Sequence, residues 1–268
     1  MSSDAMPVLF LGHGSPMNAI EDSDYRRGWA AVAERLPKPR AVLCISAHWE
    51  TPGVMITATE KPETIHDFYG FPRALFDVQY PAPGDPSVAR ETVRSVRRVP
   101  IALDEARGLD HGAWSVLVAM YPDAGVPIVQ LSLDTRQPAA FHYELARELA
   151  PLRDQGVLVL GSGNIVHNLR TIDFRNKGGF DWAREFEAEL VHRIRQHDHE
   201  ALIDYQHLGP AWNLAIPTAE HFLPLLYCLA LQRDSESVSL FNEGVVLGSI
   251  SMTSLTIGSS TPRRESQA

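Results

Sequence analysis

Two short apolar runs that each end in a histidine constrain this chain more than any other feature. They are Met6-Pro7-Val8-Leu9-Phe10-Leu11-Gly12-His13 and Ala41-Val42-Leu43-Cys44-Ile45-Ser46-Ala47-His48. Each reads as a buried β-strand that delivers its last residue to the rim of a sheet. In an open α/β sheet, ligands bind just beyond the carboxyl ends of the strands. Two imidazoles brought to one rim supply most of a metal site.

The rest of the chain alternates apolar strands with amphipathic helices. That pattern predicts a single α/β domain over residues 1–258, with a central, mostly parallel or mixed sheet flanked by helices. Strands are expected at Val8–Leu11, Ala41–Ser46, Val54–Ala58, Ile128–Ser132, Val157–Gly161, Ser237–Phe241 and Ser249–Leu255. Helices are expected at Ser23–Leu36, Pro86–Val96, Ala113–Met120, Ala139–Leu152, Trp182–Gln196 and Ala219–Gln232. Asp85-Pro86 is an N-cap followed by an N1 proline. The proline- and glycine-rich stretch from Glu60 to Asp85 reads as a long loop of the kind that carries function. Residues 259–268 read as a polar, flexible tail.

Composition narrows the partners. The 33 acidic residues against 24 lysines and arginines give a formal charge of −9. Phosphate backbones need a basic face, so nucleic acid is not an expected partner. The N-terminal segment lacks the basic start and apolar core of a signal peptide. No apolar run nears the ~20 residues that span a bilayer. The two cysteines, Cys44 and Cys228, sit in apolar runs and read as buried thiols. A cytoplasmic protein that handles small molecules is expected, with no membrane contact.

The eleven histidines decide the chemistry. His13 lies between glycines, which allow a sharp turn and a close ligand. His48, on what should be a neighbouring strand, completes a pair of metal ligands. His221 and Glu220 fall in the first turn of an apolar helix, and their side chains diverge by about 100° on such a helix. One of them is the third ligand, and Glu220 has an alternative use as a first-turn carboxylate, so His221 is preferred. His111 opens the helix after Asp110, where the helix dipole disfavours a protonated ring and suits a base. The turn Gly161-Ser162-Gly163-Asn164 has neither a P-loop lysine nor the spacing of a nucleophile elbow. It reads instead as a rim loop that presents Asn164 and His167. His66, Phe68, Tyr69 and Phe71 in the long loop could line a pocket for a flat ring or simply pack the loop.

Six ordered segments carry a resemblance that covers nearly the whole chain. They are Leu11–Pro16, Ile45–Trp49, Thr64–Pro72, Leu109–Gly112, Gly161–Leu169 and Glu220–Pro224. In these the chain closely resembles the class III extradiol ring-cleavage dioxygenases, the superfamily of protocatechuate 4,5-dioxygenase catalytic subunits. Within that superfamily it is most similar to the 4,5-DOPA dioxygenase extradiol group. The resemblance implies one non-haem divalent metal in a rim cleft, Fe(II) for activity with Zn(II) as another metal the site would bind. It implies His13, His48 and His221 as ligands and His111 as the catalytic histidine. His167 would be either a further ligand or a second acid/base group. The substrates would be a small catechol and O₂, the product a ring-opened muconic semialdehyde, and some relatives are homodimers. His66, Phe68, Tyr69, Phe71 and Asn164 would meet the substrate. A zinc hydrolase using a metal-bound water, or a non-catalytic metal-binding relative, would use the same three histidines.

Overall fold

The computed structural model describes residues 5–258, so the tail at 259–268 lies outside the described residues. The strands are β1 (Val8–Gly12), β2 (Ala41–Glu50), β3 (Val54–Thr57), β4 (Ile101–Asp104), β5 (Ile128–Leu133), β6 (Val157–Gly163), β7 (Val238–Phe241), β8 (Val245–Val246), β9 (Ile250–Ser251) and β10 (Ser254–Ile257). Eight of them form one mixed sheet in the order β4-β3-β5-β2-β6-β1-β10-β7, and β8 pairs with β9 separately. β5, β2, β6 and β1 are mutually parallel, so their carboxyl ends share one rim. β10 and β7 extend this core antiparallel on one side, and β3 joins β5 antiparallel on the other.

The alternation of side chains along β1 shows how the core is divided. Val8 and Phe10 pack into one apolar cluster, Leu9 and Leu11 into the other. The sheet is therefore covered on both faces, and β1, β5 and β6 are buried at every position. That two-sided burial is why these strands read as continuous apolar runs rather than as alternating ones.

Several elements differ from expectation for local reasons. β2 runs on to Glu50, with a register shift against β5 between Ile45 and Glu50. His48 therefore sits inside a bulged strand, and bulges commonly re-aim a side chain at a site. β1 and β2 are not neighbours, because β6 lies between them. The helix expected over Ala139–Leu152 is two, Ala139–Arg147 and Ala150–Asp154, since Pro151 lacks the N–H that a continuous helix needs. The helix expected from Ala219 begins only at Leu223 and ends at Leu229. Pro224 occupies its first turn, and the His221 carbonyl accepts from the Asn164 N–H instead of from a helical partner (2.9 Å). The strand expected over Ser249–Leu255 is broken at Met252 and Thr253, where the chain leaves the β8–β9 pair for the main sheet. The edge strand β4 was not expected: its apolar run Ile101-Ala102-Leu103 is only three residues long, with Ala102 and Leu103 exposed. The Glu60–Asp85 loop is ordered and holds one short helix, Arg73–Phe76. No helix among the described residues is long and apolar enough to cross a membrane.

His142 joins the helix Ala139–Arg147 to the helix Leu223–Leu229. It is fully buried, with Nδ1 3.1 Å from the Tyr227 hydroxyl and Nε2 3.1 Å from the Asp134 carbonyl. Burial lowers it from 6.5 to about 4. The unfolded chain therefore takes up this proton first as pH falls, and stability is lost from about pH 6.5 down towards about pH 4, by about 3 kcal/mol at most. In urea unfolding, the stability gap between the native protein and His142→Gln should narrow from pH 7 to pH 5. A gap independent of pH would refute this assignment.

Candidate metal centre and active site

His13 leaves the end of β1 with its backbone N–H donated to the Gly163 carbonyl (3.0 Å), so the parallel pairing with β6 holds it in place. Its Nδ1 lies 3.0 Å from Ser162 Oγ. The Ser162 hydroxyl donates to the Gly112 carbonyl (2.5 Å), which leaves its oxygen to accept from His13. Nδ1 of His13 therefore carries the proton, and Nε2 presents a lone pair. Gly14 then turns the chain at φ +57°, against the Met252 side chain.

His48 reaches the same point from the bulge in β2. Its backbone N–H donates to Ser46 Oγ (3.2 Å), and Ser46 donates to Asp110 (2.6 Å). Asp110 is fully buried, caps the helix His111–Met120 through the Ala113 N–H (3.1 Å) and accepts from Gln130 Nε2 (2.7 Å). Gly112 leaves space for the His48 ring, since a Cβ there would stand 2.8 Å from His48 Cδ2. Nε2 of His48 and Nε2 of His13 are 3.2 Å apart.

His221 comes from the turn before the helix Leu223–Leu229. Its Nδ1 is 3.1 Å from Glu220 Oε1, which also accepts from the Thr218 hydroxyl (2.9 Å). Its Nε2 is buried with no hydrogen-bond partner. The ring centroids of His13, His48 and His221 form a triangle with sides of 5.1, 5.0 and 5.3 Å. His167 stacks on His221 at 3.5 Å and 10°. His111 stands 3.9 Å from His48. Donor atoms lie within 4.8 Å of one another in two sets, His13–His48–His111 and His167–Glu220–His221.

Electrostatics explains what this gathering is for. Burial, then the neighbouring rings, pushes His13 and His221 well below the ordinary histidine range. Burial likewise lowers His48 to about 3 and His167 to about 4. Neutral imidazoles gathered this closely, one with an orphaned buried Nε2, could hold a divalent cation. The 3.2 Å between two Nε2 atoms suits nitrogens that share one ion, given metal–nitrogen bonds of about 2.1 Å.

Aromatic side chains pack beside the histidines on one side. Phe68 meets His111 edge-on at 5.5 Å and Phe71 at 5.4 Å. His66 packs between Phe68 (5.8 Å) and Trp114 (5.6 Å), with Nε2 donating to the Val78 carbonyl (2.9 Å). Tyr69, expected beside the substrate, is instead 92% exposed at the loop tip next to Gly70, whose φ is +77°. Asn164 is buried and braces the site: its Nδ2 donates to the Ser251 carbonyl (2.7 Å), and its Oδ1 has no partner. Sequence reasoning missed Asp67. Its Oδ1 accepts from both the backbone N–H (3.0 Å) and Nδ1 (2.9 Å) of His111. Burial opposes its ionisation, but the His111 contacts outweigh that and hold the carboxyl at about 2. The only sequence hint was a carboxylate directly after His66 in a loop already suspected of function.

A mixed α/β sheet with a buried histidine cluster at its carboxyl rim, beside aromatic side chains, has the donors a metal-dependent enzyme would use. Residues 7–253 match the family model described as the catalytic LigB subunit of aromatic ring-opening dioxygenase. The chain is 47% identical over 96% of its length to the 4,5-DOPA dioxygenase extradiol of Escherichia coli K12, covering 97% of that protein. It is 36% identical to the 4,5-DOPA dioxygenase extradiol of Beta vulgaris, over 88% of this chain and 90% of the relative. A crystal structure of an uncharacterized Escherichia coli K12 protein superimposes with a TM-score of 0.84 at 42% identity, over 94% of this chain and 100% of that one. The chain belongs to the LigB family of class III extradiol ring-cleavage dioxygenases. It is an extradiol dioxygenase, as its sequence resemblance implied, and the hydrolase alternative is not favoured.

Gly163 tests the scaffold of the site. A Cβ there would stand 2.1 Å from the His221 backbone oxygen, so Gly163→Ala must push His221 away. Chelator competition should show Zn(II) binding weakened roughly 10–100-fold, with the far-ultraviolet circular dichroism unchanged.

Proposed function

We propose that this enzyme opens the ring of a catechol bearing a DOPA-like side chain, with Fe(II) held by His13, His48 and His221. The observation that carries the ligand assignment is the orphaned Nε2 of His221 beside the paired Nε2 atoms of His13 and His48, 3.2 Å apart. His13 and His221 spend Nδ1 on Ser162 and Glu220, and Nε2 of His221 is buried without a partner. His111 spends Nδ1 on Asp67 and lies on the side of His48 that faces the aromatic wall, which suits proton transfer. The near-parallel stack of His167 on His221 sets their lone pairs in separate planes. That favours His167 as a second proton-handling group over a fourth ligand. The DOPA-like substrate rests on the names of the relatives from Escherichia coli and Beta vulgaris.

Fe(II) supplies the redox chemistry that couples a catechol to O₂, which Zn(II) cannot. The chain's own residues do the rest. Phe68 and Phe71 flank the ring and exclude water from one side. His111 or His167, both within the cluster, takes the proton of a catechol hydroxyl and later returns it as an acid. The buried thiols Cys44 and Cys228 remain unpaired, which accords with a reducing cytoplasmic setting.

Anaerobic loading with Fe(II) or Zn(II), followed by air and a panel of catechols that includes L-DOPA, tests the proposal. Oxygen uptake with a yellow ring-opened product is expected only with Fe(II). No uptake with any catechol would overturn it. Two variants separate the histidine roles. His221→Ala should lose the metal, whereas His111→Ala should keep it and lose roughly 10²–10⁴-fold in kcat.

A further inference from the structure

We infer that Asp67 is a positioning residue that locks His111 in the Nδ1–H tautomer, so that ring cleavage begins with His111 accepting a proton at Nε2. The inference rests on the dioxygenase reading above, and it adds which nitrogen works and what fixes it.

The chain path brings Asp67 to this place. Thr64 bridges Leu109 in parallel, Ile65 N–H donates to the Leu109 carbonyl (2.8 Å), and Leu109 N–H donates to the Glu63 carbonyl (2.7 Å). Such a close approach needs Gly108, where a Cβ would stand 2.2 Å from the Glu63 carbonyl oxygen. The loop is pinned again where Trp114 Nε1 donates to the Ile65 carbonyl (2.8 Å). Beyond these ties, Asp67 arrives opposite His111 at the start of the helix His111–Met120.

One oxygen, Oδ1, takes both contacts from His111. An ionised carboxylate only accepts, so the backbone N–H and the ring Nδ1 must both donate. The neutral ring then keeps its lone pair on Nε2, the nitrogen turned from Asp67 towards the cluster. The His111 side chain is only 8% exposed, while the Asp67 carboxylate is 25% exposed, so the contact is buried on the histidine side and reaches solvent on the other. When Nε2 takes the catechol proton, the Asp67 charge 2.9 Å from Nδ1 stabilises the resulting imidazolium. Asp67 also directly precedes Phe68, so the same carboxylate fixes the aromatic wall and the proton acceptor as one unit.

Two substitutions separate tautomer from charge. Asp67→Asn keeps an oxygen at this position, because the backbone N–H of His111 demands an acceptor there, and loses only the charge. Asp67→Ala loses both. The tautomer is read by nitrogen NMR of ¹⁵N-histidine protein loaded with Zn(II), which is diamagnetic and does not turn over. His111 should be Nδ1–H in the native protein and in Asp67→Asn, and should lose that preference in Asp67→Ala. With Fe(II), kcat should fall roughly 100-fold in Asp67→Ala and roughly 10-fold in Asp67→Asn, with KM and Zn(II) affinity changed by less than about threefold. An Nε2–H tautomer in the native protein, an unchanged tautomer in Asp67→Ala, or kcat retained in Asp67→Ala would each overturn the inference. A native protein inactive on every catechol would refute the proposed function while leaving the tautomer result to stand.

Discussion

Everything in the site depends on keeping several imidazoles neutral in a space too dry for their charged forms. Burial is the largest cause of the lowered proton affinity at His13, His48, His167 and His221. Neutrality alone would leave each ring with one unsatisfied nitrogen, which a protein interior penalises. Here the Nδ1 atoms of His13, His221 and His111 are assigned to Ser162, Glu220 and Asp67. The remaining nitrogens are left to one another and to whatever ion the family's chemistry requires, and Nε2 of His221 is buried with no hydrogen-bond partner. Metal affinity and ring orientation have the same cause, which is the usual work of the groups just outside a metal's ligands.

The sheet supplies the precision. β6 lies between β1 and β2, and its terminal residues are small. Ser162 reaches the His13 ring while Gly163 lets the His221 backbone press against the strand. Gly112 does the same for the His48 ring from the opposite helix. Three chain segments distant in sequence thus meet with little side-chain bulk between them. The buried Asp110 ties two of them together, because it caps the helix that carries His111 and holds Ser46 beneath His48.

Much of this was legible in the sequence, and the failures have identifiable causes. Strands buried on both faces announce themselves as unbroken apolar runs, so β1, β2, β5 and β6 were placed within a few residues. The four-residue edge strand β4 is too short for its apolar run, Ile101-Ala102-Leu103, to stand out from a loop. Helix ends were misjudged where a proline interrupts the ladder, at Pro151 and Pro224. His13, His48 and His221 were legible as residues that would meet, because histidine is costly at an apolar strand end or helix start without a partner, and their rings do come together. Tyr69 was not distinguishable from its neighbours Phe68 and Phe71, because which residue of a loop faces inward depends on backbone torsions that composition does not encode.

The sequence by itself determined the layered α/β architecture, since period and burial follow directly from residue type. It also marked His13 and His48 as histidines carried to the rim, since each closes an apolar strand run whatever the topology. Only the tertiary structure decided that β6 separates the strands ending at His13 and His48, that Glu220 lies against Nδ1 of His221, and that Asp67 lies against both N–H groups of His111. Those facts concern contacts between segments far apart in the chain, where no local propensity acts and only the packing of one backbone against another selects the partner.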